Sequence, residues 1–280
     1  MQDAYAHCQA LVRELDRDRY LAGLFVPADE RPHLFALYAF NAEITAVPER
    51  VREPMAGEVR LQWWRDVLAG TAAGEISGSP VAAALLDTIE RRELPRAGIE
   101  GLIEAHAFDL YSDPMPNRAA FDGYIHSTSS LVFELAGRLV GGPNELANEA
   151  AEHAGQAYGI AGLLRAFPLH ASRGRIFLPQ DLLEEFKVST ADLLAGRPSP
   201  ALATALRALR QDARSHLQAA HQRLAALPPT ARVAFLPLAL VDAYLARMDA
   251  ADYDPFRTPI DVPQWRRQWT LWRAARRLRV

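Results

Sequence analysis

The sequence predicts an all-α protein folded as one domain. Three observations lead there: apolar residues recur at helical spacing along almost the whole chain, no alternating strand pattern of useful length interrupts them, and the breaks are short turns marked by Pro and Gly. With 280 residues, 50% of them hydrophobic, the chain can bury a sizeable core in a single unit spanning 1–280.

Taken in order, one helix opens at Arg31-Pro32, where the missing proline N–H costs nothing in a first turn. Leu34, Leu37, Tyr38, Asn41 and Ile44 then share its face. Leu102, Ile103, Ala107 and Leu110 share another, followed by Phe121, Ile125, Leu131, Leu135 and Leu139. Asp113-Pro114-Met115-Pro116-Asn117 separates those two segments, and Gly141-Gly142-Pro143 closes the second. Ser189-Thr190-Ala191-Asp192 has the pattern of a short capping box, while residues 196–200 and Pro228-Pro229 divide the later helices. None of these connections has the length or polarity of an interdomain linker, and no internal repeat is visible.

Composition excludes several function classes. The longest apolar runs, 81–86 and 235–241, fall far short of the roughly 20 residues of a membrane span, and the second contains Pro237. Residues 1–15 carry Asp3, His7, Arg13 and Glu14 without an apolar core, so neither a signal peptide nor a lipid anchor is expected. The expected location is a bacterial cytoplasm, where a lone cysteine, Cys8, also fits; it excludes an internal disulfide and a cysteine-built zinc site. A net charge of -3 gives no global pull toward nucleic acid, and no nucleic-acid partner is expected. Of 31 basic residues only Lys187 is lysine; arginine forks suit planar anions, although GC-rich codon usage gives the same bias.

Motifs for nucleophilic or metal chemistry are lacking. Ser127, Ser129 and Ser130 lie in a helical segment of small residues with no strand-to-helix elbow, so packing is their expected role. His170 has no partner at ligand spacing, and His106, His126 and His153 have no better case, so no metal site is expected. Gly137, Gly141 and Gly142 end a helix rather than cradle a phosphate.

Four stretches together resemble the squalene/phytoene synthase family. They are Asp18-Arg19-Tyr20 with Leu24-Phe25 and 30–40; Arg60-Leu61-Gln62-Trp63-Trp64-Arg65; 124–137; and 155–179, ending Arg175-Ile176-Phe177-Leu178-Pro179. The resemblance implies an isoprenoid-synthase-type helical bundle around a central cavity. It also implies two aspartate-rich segments on facing helices, which in the enzymes hold magnesium against prenyl diphosphates. A hard ion of this kind needs carboxylate oxygens. Here the acidic positions of the first segment fall at Thr45, Ala46 and Glu49, and only the last is acidic. Glu43 is the other remnant candidate, but six helical residues would turn it about 120° away from Glu49. The second segment reads Arg165-Ala166-Phe167-Pro168-Leu169-His170 and has lost its acids; Gly159 and Gly162 stand where the family carries glutamine and asparagine.

What survives is basic. Arg165, Arg173 and Arg175 are candidates for an anion or diphosphate site, or they pair with acids such as Asp181 and Glu184. Tyr38, Asn41, Thr45, Arg60, Trp63, Trp64 and Tyr158 are expected to line the cavity, with core packing the alternative for the two tryptophans. Asn41-Ala42-Glu43, Ser129-Ser130-Leu131 and 164–170 resemble, more than the enzymes, a branch that includes a mitochondrial complex I assembly factor and its bacterial relatives. That resemblance implies a non-catalytic protein acting in respiratory complex I assembly, with assembly intermediates as partners and an isoprenoid or phospholipid as candidate ligand. No cofactor is expected on that reading. The alternative is a transferase condensing prenyl diphosphates, which would require Mg2+.

The C-terminal segment 265–279 carries six arginines and no acid, with Trp265, Trp269 and Trp272 at i, i+4, i+7 spacing. Such a stripe suits an anionic membrane surface, placing the chain at the inner membrane periphery. The other reading is a last helix docked by its tryptophans with its arginines in solvent.

Overall fold

The computed structural model describes residues 1–72, 78–111 and 113–278, and among these there are helices and turns but no strand. Arg279 of the basic C-terminal segment lies outside them. The N-terminal half comprises α1 (Gln2–Leu15), α2 (Arg17–Gly23), α3 (Arg31–Thr45), α4 (Val47–Arg50), α5 (Pro54–Ala69), α6 (Pro80–Arg92) and α7 (Arg96–Ala107). Next come α8 (Arg118–Ile125), a π turn (His126–Ser130), α9 (Leu131–Gly141) and α10 (Glu145–Ser172). The chain ends with α11 (Gln180–Glu185), α12 (Thr190–Leu194), α13 (Pro200–Leu224), α14 (Pro229–Arg232), a 3-10 stretch (Val233–Leu240), α15 (Val241–Met248) and α16 (Gln264–Leu278).

Two helices organise the core. In α3 every side chain from His33 to Asn41 is buried, so it has no solvent stripe and is wrapped by α1, α6, α7 and α9. The second is α10, 28 residues and so about 42 Å long. It runs along α13 and also packs on α9, the π turn and α15.

The segment 124–137, expected as one continuous helix, contains the π turn. The extra residue of such a turn shifts the apolar register, so that Phe121 and Ile125 before it and Val132 and Leu135 after it are all buried. It also brings backbone against α10. A Cβ on Gly155 would lie 2.2 Å from Ser130 Cα, which is why this position has no side chain. Ser129 and Ser130 are buried there, and the Ser130 hydroxyl donates to the Glu152 carbonyl at 3.0 Å, a packing role.

Two further expectations are refined. Glu49 is not on the helix of Glu43: α3 stops at Thr45, and α4 starts afresh with Pro48 in its first turn, where proline is tolerated. At 189–192 only half a capping box forms. Ser189 Oγ accepts from Asp192 N at 3.2 Å, but the Asp192 carboxylate is drawn to Arg197 instead.

Residues 229–248 have the length and hydropathy of a membrane span by composition alone, yet more than half of them are buried. The 3-10 stretch within them packs against α2, α9, α10 and α16.

Candidate functional site

The site grows from the junction of α1 and α2. Asp16 caps α2 by accepting from Arg19 N at 3.0 Å, and its other oxygen accepts from the Arg19 guanidinium at 3.2 Å. This holds Arg19 between two aromatic rings, 5.4 Å from the Tyr38 centroid and 5.1 Å from that of Tyr158. Burial would lower the Arg19 pKa, but Asp16 and the two tyrosines outweigh it and raise it. Burial also drives both tyrosine hydroxyls above their ordinary range.

Two residues after Asp16, buried Asp18 gathers side chains from three distant elements. Its Oδ2 accepts from Tyr244 of α15 at 2.6 Å and from Arg165 of α10 at 3.3 Å. Its Oδ1 lies 2.7 Å from Nε of Arg267 of α16, in ionic contact but misaligned for a hydrogen bond. Arg267 also donates to Asp261 at 2.7 Å. The Arg165 guanidinium sits over the Tyr244 ring at 3.8 Å. Burial pushes the Tyr244 hydroxyl up to about 12, with Arg165 opposing and Asp18 adding to the rise.

Two adjoining clefts of about 620 and 270 Å3 open above this network and share Leu15, Asp16 and Thr45. Their linings include five carboxylates, of Glu14, Asp16, Asp18, Glu49 and Asp261, and four guanidinium groups, of Arg17, Arg19, Arg165 and Arg267. Charges so nearly balanced give no strong field for a diphosphate. Gly162 also lines the larger cleft, with nothing within 4 Å of where its Cβ would be, so the side chain lost there leaves open space. Gly159 instead packs: its Cβ would meet Ile125 at 2.6 Å.

Of the residues expected to line a cavity, Asn41, Thr45 and Tyr158 line the clefts, while Tyr38 lies beneath them against Arg19. Trp63, Trp64 and Arg60 do not. Trp64 is buried edge-on against Phe40 of α3 at 4.9 Å, and half-buried Trp63 packs edge-on to Trp64 at 5.0 Å. Arg60 is exposed and its charge falls on Glu43. Glu43 is raised in pKa by burial, opposed by Arg50, His7 and Arg60, and lines neither cleft.

The three arginines do not form one anion site. Arg165 is engaged by Asp18, and Arg173 by Glu49 at 2.8 Å, rather than by Asp181 or Glu184. Arg175 follows the left-handed Gly174 turn, lines neither cleft, and acts on the Tyr124 hydroxyl and on His170. His170 itself packs on Phe177 at 4.5 Å, and burial lowers its pKa. Behind Thr45, His106 Nδ1 pairs with Asp109 at 2.6 Å, and Tyr124 donates to the other Asp109 oxygen at 2.8 Å. This satisfied polar chain ties α7 to α8.

A magnesium site of the kind implied by the resemblance does not fit these side chains. Each well-placed carboxylate already has a guanidinium partner, Asp16 with Arg19, Asp18 with Arg165 and Arg267, and Glu49 with Arg173. Among the described residues no three His, Cys, Asp or Glu side chains converge as a ligand set.

Sequence reasoning missed the centre of the site. Asp18 and Arg19 were visible only as part of a resemblance, although two acids and two arginines alternating within 16–19 were a local signal. Tyr244 and Arg267 lie 226 and 249 residues from Asp18, and nothing near them in sequence marks them. The C-terminal helix also differs from one expectation. It docks through Arg267, Leu271 and Ala275, whereas Trp265, Trp269 and Trp272 are exposed.

Comparison with known proteins agrees with this architecture. The chain is 30% identical over 250 residues to "NADH dehydrogenase (ubiquinone) complex I, assembly factor 6" of Bos taurus, covering 89% of this chain and 75% of that protein. It is 27% identical over 202 residues to presqualene diphosphate synthase of Rhodopseudomonas palustris, covering 72% of each. A dehydrosqualene synthase crystal structure superposes with a TM-score of 0.83 at 17% identity, covering 99% of this chain and 97% of that one, and so shares the fold. Residues 12–273 match the squalene/phytoene synthase family model, and the chain belongs to that family.

Proposed function

We propose that this chain is a non-catalytic member of its family that acts in the assembly of respiratory complex I. The observation that carries the reading is the self-neutralised cleft: Asp18 and Glu49 occupy the arginines that would otherwise meet a diphosphate. Relatives described as complex I assembly factors support the biological setting. The reading requires no cofactor. It places the protein in a bacterial cytoplasm, against the inner membrane where complex I is built, with assembly intermediates as its partners.

An isoprenoid or phospholipid headgroup is the ligand class that suits the cleft. Arg165 Nε is buried without a hydrogen-bond acceptor and Asn41 Oδ1 without a donor, so each cleft wall carries a polar atom that no protein group satisfies. An anionic headgroup would have to displace Asp18 or Glu49 from the arginines.

The prenyl transferase alternative has support from the presqualene diphosphate and phytoene synthase relatives. It would work with Mg2+, Glu43 and Glu49, but Glu43 lines neither cleft. Deleting the gene tests the assembly role: complex I level and NADH dehydrogenase activity should fall and recover on complementation. Normal complex I in the deletion strain would refute it.

A further inference from the structure

Among the described residues the outward face of α16 has no partner. At 100° per residue, Arg267, Leu271, Ala275 and Leu278 form the face that docks, while Trp265, Trp269, Trp272 and Arg276 form a stripe on the opposite side. The three tryptophans are 70%, 55% and 40% exposed. Trp269 and Trp272 stack at 5.0 Å, and the Arg276 guanidinium covers the Trp272 ring at 5.0 Å. Arg266, Arg273 and Arg277 form a second exposed stripe beside the first, and residues 264–280 contain no acid.

Large indole rings left in water are unfavourable, and a contiguous exposed patch of this kind marks a contact surface. The partner's chemistry is set by the two stripes together. Indole rings settle at the headgroup level of a bilayer, apolar body inward and N–H outward. A row of guanidinium groups alongside meets lipid phosphates, each basic residue adding to the attraction of an anionic surface. A second copy of the chain is a poor occupant, because pairing the same face would set arginine stripe against arginine stripe.

We propose that α16 is an interfacial helix that docks the protein on an anionic lipid bilayer, tryptophans in the headgroup boundary and arginines on the phosphates. Its inner face is already fastened by Arg267 to Asp18 and Asp261, so docking requires no rearrangement. Arg267 and Asp261 also line the larger cleft. That cleft therefore lies about one helix diameter, ~10 Å, from the bilayer surface. The proposal specifies the membrane contact of the assembly reading but stands on α16 alone, so an unaffected complex I would leave it in place.

Vesicle flotation of the full chain provides the test, with phosphatidylcholine alone compared against phosphatidylcholine mixed with phosphatidylglycerol. Binding is expected only to the anionic vesicles and should weaken with salt. The tryptophan emission should shift to the blue and be quenched by lipids brominated in the acyl chain. The triple variant R266E/R273E/R277E should lose binding on the order of a hundredfold. The variant W269A/W272A should lose both binding and quenching, while both variants keep the circular dichroism and melting temperature of the parent, since the altered side chains are exposed. Three outcomes would overturn the proposal: no binding to anionic vesicles, binding that survives both variants, or a solution dimer in which the tryptophans become shielded without lipid.

Discussion

Asp18 is the residue on which the site turns. A carboxylate 6% exposed serves Tyr244, Arg165 and Arg267 together, from three helices distant in sequence. Removing its charge would leave part-exposed Arg165 without a counter-ion and buried Arg267 with only the exposed Asp261, which is costlier than never having had the pairs. Asp18→Asn keeps the volume, and it should lower stability by about 3 kcal/mol in urea denaturation, near the low end for a broken buried pair because Arg165 is about a third open to solvent. The same substitution should raise affinity for inorganic diphosphate in calorimetry, because the internal carboxylate no longer competes for Arg165. A loss below about 1 kcal/mol, the scale of an exposed pair, would show that the network contributes little. At this scale the sequence was half legible. The missing acids at Thr45, Ala46 and Ala166 and the surviving Glu49 could be read directly, but the ion pairs could not: Asp18 reaches Arg165 from a different helix, and Glu49 meets Arg173 only after 124 residues of chain have folded back.

At the scale of elements, helix identity followed from periodicity wherever one side of a helix faces solvent or a single neighbour. It failed where the register slips. The π turn between α8 and α9 is invisible to a 3.6-residue pattern, because the apolar residues on both sides remain buried. The contact it creates is tight, and Gly155→Ala should cost about 1–3 kcal/mol by overpacking against Ser130 backbone, measured as a lowered thermal midpoint with the helix content unchanged. The same substitution at Gly162, which faces open space, should be nearly neutral and serves as the control. In α16 the spacing of the tryptophans was plain, but the side they face was not. Docking by Leu271 and Ala275 with a buried Arg267 could not be separated from docking by indole rings, because both stripes recur at helical spacing. The buried carboxylate that draws Arg267 inward decides between them.

For the whole molecule, the fold class was the most legible quantity: an all-helical reading needed only periodicity and punctuation, and the described residues contain no strand. Cavity lining was the least legible. Trp64 belongs to the core, Trp63 packs half-buried against it and Arg60 lies at the surface, since an aromatic or basic residue on a helix does not declare which neighbour its face will meet. The scaffold shares the fold of a dehydrosqualene synthase, and its cleft is bordered by carboxylates and arginines paired with one another. Incubating the purified chain with farnesyl or geranylgeranyl diphosphate and Mg2+, and following diphosphate release and C30 or C40 products by mass spectrometry, tests that account most directly. The self-neutralised cleft predicts neither diphosphate release nor condensed product; sustained turnover that disappears in Glu49→Ala would contradict it.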